Sequence, residues 1–474
     1  MDSRLPLHVI VLAAGQGTRM QSALPKVLHP VAGRPMLAHV LATAAALDAE
    51  VSHVVIGHGG EAVQREITAP AGLDVRWAIQ HEQLGTAHAV DQAMPAVPDA
   101  AQVLIMYGDV PLVQSATLAN LLAVGEATGA LLAAQLSDPT GYGRLLRTAD
   151  GRLAAVVEEK DATVEQRQIK EINTGFVCAP AHKLRAWVAG IDNDNAKGEY
   201  YLTDLVALAA AEGAPLAVAT AEEAADVEGV NDRLQLARAE RRFQARQAEA
   251  VMRAGVSLRD PARFDLRGTL DAGRDVVIDA DVIIEGHVVL ADGVQVGPFV
   301  HLRNVEVGAG SRIHSHSVLE SARVGADCDI GPFARLRPGT QCADGARVGN
   351  FVEIKNASLG PGAKANHLSY LGDATVGAKA NIGAGTITCN YDGANKHHTR
   401  IGESAFIGSN TALVAPVEVG DRATIAAGST ITKNAPADAL TLARSREQKS
   451  LSGWKRPQKR PGSGGDNGGS QGGA

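Results

Sequence analysis

Gly15 and Gly17 directly follow an apolar stretch, 7–13, and Arg19 and Lys26 come soon after them. Glycines placed after a buried strand let backbone N–H groups converge on a phosphate, and nearby cations add charge at the same point. A P-loop is excluded, because Gly17 is followed by Thr18-Arg19 rather than by Lys-Ser or Lys-Thr. A dinucleotide loop fits poorly, since Met20 stands where a third glycine belongs. A second apolar run, 103–107, leads into Gly108-Asp109-Val110-Pro111. A lone Asp in such a place is usually a turn residue. Beside a phosphate loop it becomes a candidate Mg2+ ligand, because nucleotide phosphates need that ion. Further on, Asn390, Tyr391, Asp392 and Lys396 fall on a stretch that interrupts an otherwise regular pattern. Polar residues thrown out of a rigid scaffold are where chemistry is usually placed.

These residues need elements to hold them. Stretches 52–56, 75–80 and 103–107 read as strands, and 35–47 and 87–93 as helices. Helices after strands imply a doubly wound, mostly parallel α/β sheet with ligands at the carboxyl ends of its strands. Stretch 231–253 is helical in composition, carries Leu234, Leu236, Ala237, Phe243 and Met252, and stops at Gly255. Its many charges read as a solvated face. From Ile278 to Ile431 an aliphatic residue recurs at every sixth position, usually with glycine after it. That period fits neither a helix nor a hairpin. It fits short parallel strands stacked in flat coils, roughly eight or nine of them. Glycine after the inward residue is expected to supply the corner conformations. The steps into Val307, Val324, Leu359 and Val376 are one residue short, and a loop is inserted between Thr388 and Ile401.

A net charge of −7 and a pI near 6.1 argue against a general nucleic-acid binder, but leave room for a local basic pocket. Only 3% of the residues are aromatic, which suits aliphatic sheet and ladder packing. Cys178, Cys328, Cys342 and Cys389 show no metal or redox spacing and read as reduced thiols. No signal pattern and no membrane-length apolar run is present, so a cytoplasmic protein without membrane insertion is expected.

The stretch from Leu12 to Met20, Leu-Ala-Ala-Gly-Gln-Gly-Thr-Arg-Met, with Pro25-Lys26, resembles the signature of sugar-1-phosphate nucleotidylyltransferases. Gln80, Gln83-Leu84-Gly85-Thr86, Gly141-Tyr142-Gly143-Arg144, Val157-Glu158-Glu159-Lys160-Asp161, Ile172-Asn173-Thr174-Gly175 and Glu228-Gly229-Val230-Asn231 follow in order. The ladder resembles the left-handed parallel β-helix of hexapeptide-repeat acyltransferases. Up to about Trp454 the chain resembles the bifunctional bacterial enzymes that acetylate glucosamine-1-phosphate and then uridylylate the product. The resemblance implies an α/β fold: a nucleotide-diphospho-sugar transferase-like sheet domain at 1–230 and a helical arm at 231–254. A left-handed β-helix of hexapeptide repeats would occupy 255–456. The glycine-rich tail, 457–474, lies outside the resemblance and is expected to be disordered.

By the same resemblance, Leu12, Ala14, Gly15, Gln80, Gly85 and Thr86 would face the uracil and ribose of UTP, with Arg19 and Lys26 on its phosphates. Ala13, Tyr107 and Gly108 would complete that nucleotide-sugar site. Gly143, Glu158 and Asn173 would hold the N-acetylglucosamine of N-acetylglucosamine-1-phosphate, and Asp109 and Asn231 would bind Mg2+. In the ladder, Arg337, Lys355, Tyr370, Asn381 and Lys396 match positions for glucosamine-1-phosphate, and His367 matches the catalytic histidine. Ala384, Asn390, Tyr391, Ser409, Ala427 and Arg444 match contacts to acetyl-CoA. A homotrimer is implied, with a product that feeds peptidoglycan and lipopolysaccharide precursors. His314 with His316, and His397 with His398, lack partner ligands and read as surface residues. Two alternatives stand beside this reading. One is a nucleotidylyltransferase of other sugar specificity with a purely structural, trimerising β-helix. The other is a regulatory binding protein that keeps both folds without chemistry. The co-occurrence of Lys26, Asp109, Asn231 and His367 speaks against the latter.

Overall fold

The first apolar stretch forms strand β1 (Leu7–Leu12), the centre of a nine-stranded sheet, in a computed structural model that describes residues 5–444. The described chain divides into two compact units, the first running through Thr340 and the second beginning at Gln341. In the first unit β1 is followed by α1 (Met36–Ala45), β2 (Val51–Ile56), α2 (Gly60–Glu66), β3 (Asp74–Ile79) and α3 (Thr86–Ala93). Next come β4 (Gln102–Tyr107), α4 (Ser115–Val124), β5 (Ala130–Gln135), β6 (Arg144–Arg147) and β7 (Leu153–Val157). The series ends with β8 (Glu171–Pro180), α5 (Ala181–Ala189), α6 (Leu205–Ala211), β9 (Ala217–Thr220) and α7 (Arg233–Arg253). The strand order is β9-β5-β8-β4-β1-β2-β3, with β6 paired to β8 and carrying β7.

β8 is antiparallel to both β4 and β5, and the other pairs on that path are parallel. Val9 and Val11 of β1 pack into one apolar layer with Leu37 and Leu41 of α1. Ile10 points into the opposite layer with Val90 and Trp187. Burying such a side chain contributes about 1.5–3 kcal/mol, so a strand buried on both faces must read as a continuous apolar run. From β1 the chain goes out to β2 and β3, then returns to β4 on the other side of β1. The loops after β1 and β4 therefore part and leave a crevice between them.

α7 begins where Asp232 accepts the Gln235 N–H at 2.8 Å and ends before Gly255, whose φ of 105° leaves the helix. Its charges do more than face solvent. Arg246 is paired with Asp226 and donates to the Leu112 carbonyl at 2.9 Å, and Arg241 reaches Asp265 at 2.6 Å. Buried Gln244 accepts the Leu266 N–H at 2.8 Å and donates to the Leu266 carbonyl at 3.1 Å. An arm lying against sheet backbone has to satisfy that backbone, and long polar side chains do so.

The ladder begins one coil earlier than its spacing announces. Phe264–Ala272 pairs in parallel with Val282–Leu290 throughout its length. Arg267, Gly268 and Asp271 disguise it in the sequence. Parallel strands continue coil upon coil within each unit, ending at Leu440–Thr441 in the second. Every inward residue of the periodic series is buried, from Ile278 to Leu336 in the first unit and from Cys342 to Ile431 in the second. The glycines play a different part from the one expected. Left-handed corners fall three residues after the inward one, and Asp281, Phe299, His316 and Lys379 take them as well as Gly293, Gly310 and Gly345. The glycine after an inward residue is instead pressed against the next coil. A Cβ on Gly308 would lie 2.4 Å from the carbonyl carbon of Gly325, and one on Gly402 2.5 Å from the Asp421 nitrogen. Cys178 and Cys389 are free thiols, and no helix among the described residues is long and apolar enough to cross a membrane. The tail at 457–474 lies outside the described residues.

Candidate active sites

The loop after β1 and the turn after β4 meet across the crevice. Gly17 has φ 63°, and a Cβ there would stand 2.7 Å from the Lys26 Cβ, so a side chain would push Lys26 out of place. Met20 is buried, which explains a large apolar residue where a dinucleotide loop would need glycine. The Lys26 ammonium forms an ion pair with Asp109 and donates to the Asn231 side-chain oxygen at 3.1 Å. Arg19 donates to that same oxygen at 2.9 Å. Val230 N–H donates to the Asp109 carbonyl at 2.9 Å, tying the segment before α7 to the β4 turn. Asp109 and Asn231 thus aim two oxygens at one ammonium. Hard oxygen donors of this kind suit Mg2+, which keeps several waters and phosphate oxygens for its remaining positions. No cluster of three or more His, Cys, Asp or Glu that could hold a metal occurs among the described residues.

A cleft of about 250 Å³ opens here, lined by Leu12, Ala13, Ala14, Gly15, Lys26, Gln80, Gly85, Thr86, Tyr107 and Asp109. Gln83 and Glu199 also line it and were not picked out as site residues from the sequence. Glu199 arrives through the backbone. Tyr200 N–H donates to the Leu84 carbonyl at 2.8 Å, and the Ala87 N–H donates to the Tyr200 carbonyl at 3.0 Å. A Cβ on Gly85, at φ 122°, would lie 2.4 Å from the Tyr200 oxygen. Buried Gln80 then donates to the Gly85 carbonyl at 3.1 Å. No local pattern around Glu199 announces this.

Gly143, Glu158 and Asn173 lie outside that lining but are brought together by β6, β7 and β8. Asn173 N–H donates to the Gly143 carbonyl at 2.8 Å, and a Cβ on Gly143 would be 3.5 Å from a Glu158 carboxyl oxygen. Burial pushes the Glu158 carboxyl above its ordinary value, while the Thr203 hydroxyl, donating at 3.3 Å, pulls the other way. Burial first, then the charges of Asp109 and Glu158, push the Tyr107 phenol far up, so it stays protonated. Its ring lies where a Cβ on Gly175 would be, 2.5 Å away. Fully buried Arg144 is paired with Glu159 at 2.6 Å and fixes the turn that carries Glu158.

In the second unit His367 closes strand Lys364–His367 and is exposed, with its Nδ1 3.3 Å from the Asn350 side-chain oxygen. Its carbonyl accepts the Gly385 N–H, Ala384 accepts that of Asn410, and Ser409 accepts that of Gly428. A Cβ on Gly408 would press on the Ala427 nitrogen, and one on Gly428 would touch Arg444. His367, Ala384, Ser409, Ala427 and Arg444 therefore follow one edge of successive coils. Asn381 stacks directly on Lys364, and Lys355 on Gly372. A Cβ on Gly372 would meet both the Tyr370 hydroxyl and the Asn390 amide, which marks those two as neighbours.

The inserted loop builds its own frame. Asp392 accepts from the N–H groups of Ala394 and Asn395, and His397 Nε2 lies 2.7 Å from its carboxyl. These hydrogen bonds hold the Asp392 carboxyl far below its usual range. Tyr391 pairs with Lys396 as an antiparallel bridge. His397 is thus a bracing residue of the loop rather than a stray surface group. Arg337 belongs to the first unit, where its carbonyl accepts from the Thr340 hydroxyl at 2.7 Å.

Comparison with known proteins covers both halves. Residues 9–174 match the model of the MobA-like NTP transferase domain, and 398–433 match that of the bacterial transferase hexapeptide (six repeats). The chain is 59% identical to the bifunctional protein GlmU of Alkalilimnicola ehrlichii over 455 residues, 96% of this chain and 97% of the relative. It is 56% identical to that of Stenotrophomonas maltophilia K279a and 57% identical to that of Xanthomonas axonopodis pv. citri. Each of these alignments covers 96% of this chain and 99% of the relative.

Proposed function

The chain belongs to the family of the bifunctional protein GlmU, and we propose that it makes UDP-N-acetylglucosamine in two steps, on two folds. Residues 1–230 carry uridylyl transfer, 231–254 form the arm, and 255–456 carry acetyl transfer. The observation that supports this most is the meeting of Lys26, Arg19, Asp109 and Asn231 at the carboxyl ends of β1 and β4.

In uridylyl transfer a phosphate oxygen of N-acetylglucosamine-1-phosphate forms a bond to the α-phosphorus of UTP. The bond from that phosphorus to the bridging oxygen breaks, and pyrophosphate leaves. Two polyanions must approach, so Arg19 and Lys26 lower their repulsion and hold the chain of phosphates in line. Mg2+, held by Asp109 and Asn231, would supply further charge neutralisation on the leaving group. No side chain has to act as a base, since the attacking phosphate is already ionised. Leu12, Ala13, Ala14, Gly15, Gln80, Gly85 and Thr86 bind the nucleoside, while Gly143, Glu158 and Asn173 bind the sugar.

In acetyl transfer the amine of glucosamine-1-phosphate attacks the thioester carbonyl of acetyl-CoA, the C–S bond breaks, and the free thiol leaves. His367 takes the proton lost by the amine and passes it to the departing sulfur, so the coenzyme leaves as its thiol. Lys355, Tyr370, Asn381 and Lys396 hold the sugar phosphate. The edge formed by Ala384, Ser409, Ala427 and Arg444, with Asn390 and Tyr391, holds the coenzyme. We further propose a cytoplasmic homotrimer, to be checked by mass measurement in solution.

One assay tests the scheme: glucosamine-1-phosphate, acetyl-CoA, UTP and Mg2+ with free thiol and pyrophosphate followed separately. Thiol release is expected without UTP, and pyrophosphate release is expected to stop when Mg2+ is chelated. Pyrophosphate release with another sugar phosphate, and no thiol release, would favour a structural β-helix instead.

A further inference from the structure

Outside the residues assigned above, the second unit holds a buried carboxylate with two side-chain donors on it. Asp373 is 8% exposed and follows strand Tyr370–Gly372 with φ 46°. That left-handed backbone is one Asp and Asn tolerate better than other side chains. One carboxyl oxygen accepts from the Asn356 amide at 2.6 Å and the other from the Asn390 amide at 2.5 Å. Each partner lies 17 residues away along the chain, one on either side. Burial works against the charge, but the two amides, with Lys396 and Lys355, hold the carboxyl below its ordinary value. The backbone of Asp373 also ties the base of the inserted loop. Its N–H donates to the Lys355 carbonyl at 3.0 Å and its carbonyl accepts from Thr399 at 3.1 Å.

An ionised carboxylate can only accept, so both amides must turn their NH2 groups toward it. For Asn390 this leaves the side-chain oxygen as the end that faces away. A flipped amide would set oxygen against carboxylate. We propose that Asp373 is a positioning residue for acetyl transfer, which fixes the Asn390 amide so that it offers an acceptor to an N–H donor of a substrate. The inference rests on the acetyl-transfer reading. The donor is either the sugar amine or an amide N–H of the coenzyme arm, and the two sources separate in the test.

Asp373→Asn keeps the size and the left-handed backbone, but puts an NH2 donor where one of the two carboxyl oxygens accepts from a neighbouring amide. Steady-state thiol release should lose about tenfold in kcat/KM, largely through KM. The KM of glucosamine-1-phosphate rises if the amine is the donor, and that of acetyl-CoA rises if the coenzyme is. Pyrophosphate release by the same preparation should stay within about twofold. Unchanged kinetics overturn the proposal. So does a fall in kcat alone that follows the fraction of folded protein, as a merely structural carboxylate would give. Should Asp373→Asn fail to fold, Asn356→Gly keeps the corner and loosens the carboxylate from one side. It should raise the same KM about threefold, and an unchanged KM sinks the idea. A parent protein that releases no thiol would refute acetyl transfer itself, before any variant is made.

Discussion

The crevice of the first unit and the ladder of the second gather their candidate residues by opposite means. In the crevice, Lys26, Asp109 and Asn231 come from three distant parts of the chain and meet because β1 and β4 are neighbours. In the ladder, His367, Ala384, Ser409 and Ala427 share an edge because each coil repeats the last. The crevice is a half-open cleft, and its polar groups satisfy one another. The ladder edge is open, and the exposed His367 ring lies 3.3 Å from the Asn350 side-chain oxygen. A crossover sheet can thus preassemble a charged pocket within one chain, whereas a flat coil face presents a row of groups and encloses nothing by itself. This is the physical ground for expecting copies of the chain to meet along the ladder.

The comparison is broken or sharpened most strongly by mutation. Asp109→Ala should remove about a thousandfold of uridylyl transfer while thiol release continues. His367→Ala should cost thiol release about a hundredfold or more and spare pyrophosphate release. Loss of both activities from either change in a folded protein would mean that the two regions are not independent. Gly85→Ala comes next. Its Cβ would collide with the Tyr200 carbonyl, so the nucleotide cleft should distort and pyrophosphate release should drop about tenfold, with acetyl transfer unaffected.

Acidity should separate the regions more gently. His8 and His53 are buried in β1 and β2, 3.0 Å apart between ring nitrogens. Burial lowers the pKa of both, His53 to about 4, with Arg76 adding to it and Glu50 and Asp74 opposing. A lowered pKa means the folded form prefers the neutral ring. The stability it contributes is complete above pH 6.5 and is lost as the pH falls toward 4. Asp373 is lowered from 3.8, so its contribution survives at pH 5. Fluorescence of Trp77 and Trp187 should therefore report a melting point about 5 °C lower at pH 5 than at pH 7. Replacing both histidines with Gln should flatten that difference. The smallest effect is expected at the end of the chain. Deleting 457–474, which holds no large apolar side chain, should leave both activities and the melting point nearly unchanged.

Much of this protein is set by local sequence alone. The apolar run before Gly15 specifies a buried strand, and the six-residue period specifies stacked coils, because each inward side chain must find the core at the same place in every turn. The glycine loop after β1 and the inserted loop are legible for the same reason, as breaks in those patterns. Other features were decided only when distant segments met. Glu199 enters the nucleotide cleft through backbone pairing near Gly85, and the first ladder coil is recognised by its partner strand, since Arg267 and Asp271 spoil its pattern. The arm's polar side chains became structural once Asp226, Asp265 and Leu266 lay beside them. Gly308 and Gly402, each following an inward residue, likewise answer to the neighbouring coil rather than to their own φ. Period and polarity act over a few residues and are carried by the sequence. Close backbone approach and the pairing of buried charges depend on what the fold brings within a few ångströms, which spacing along the chain does not encode.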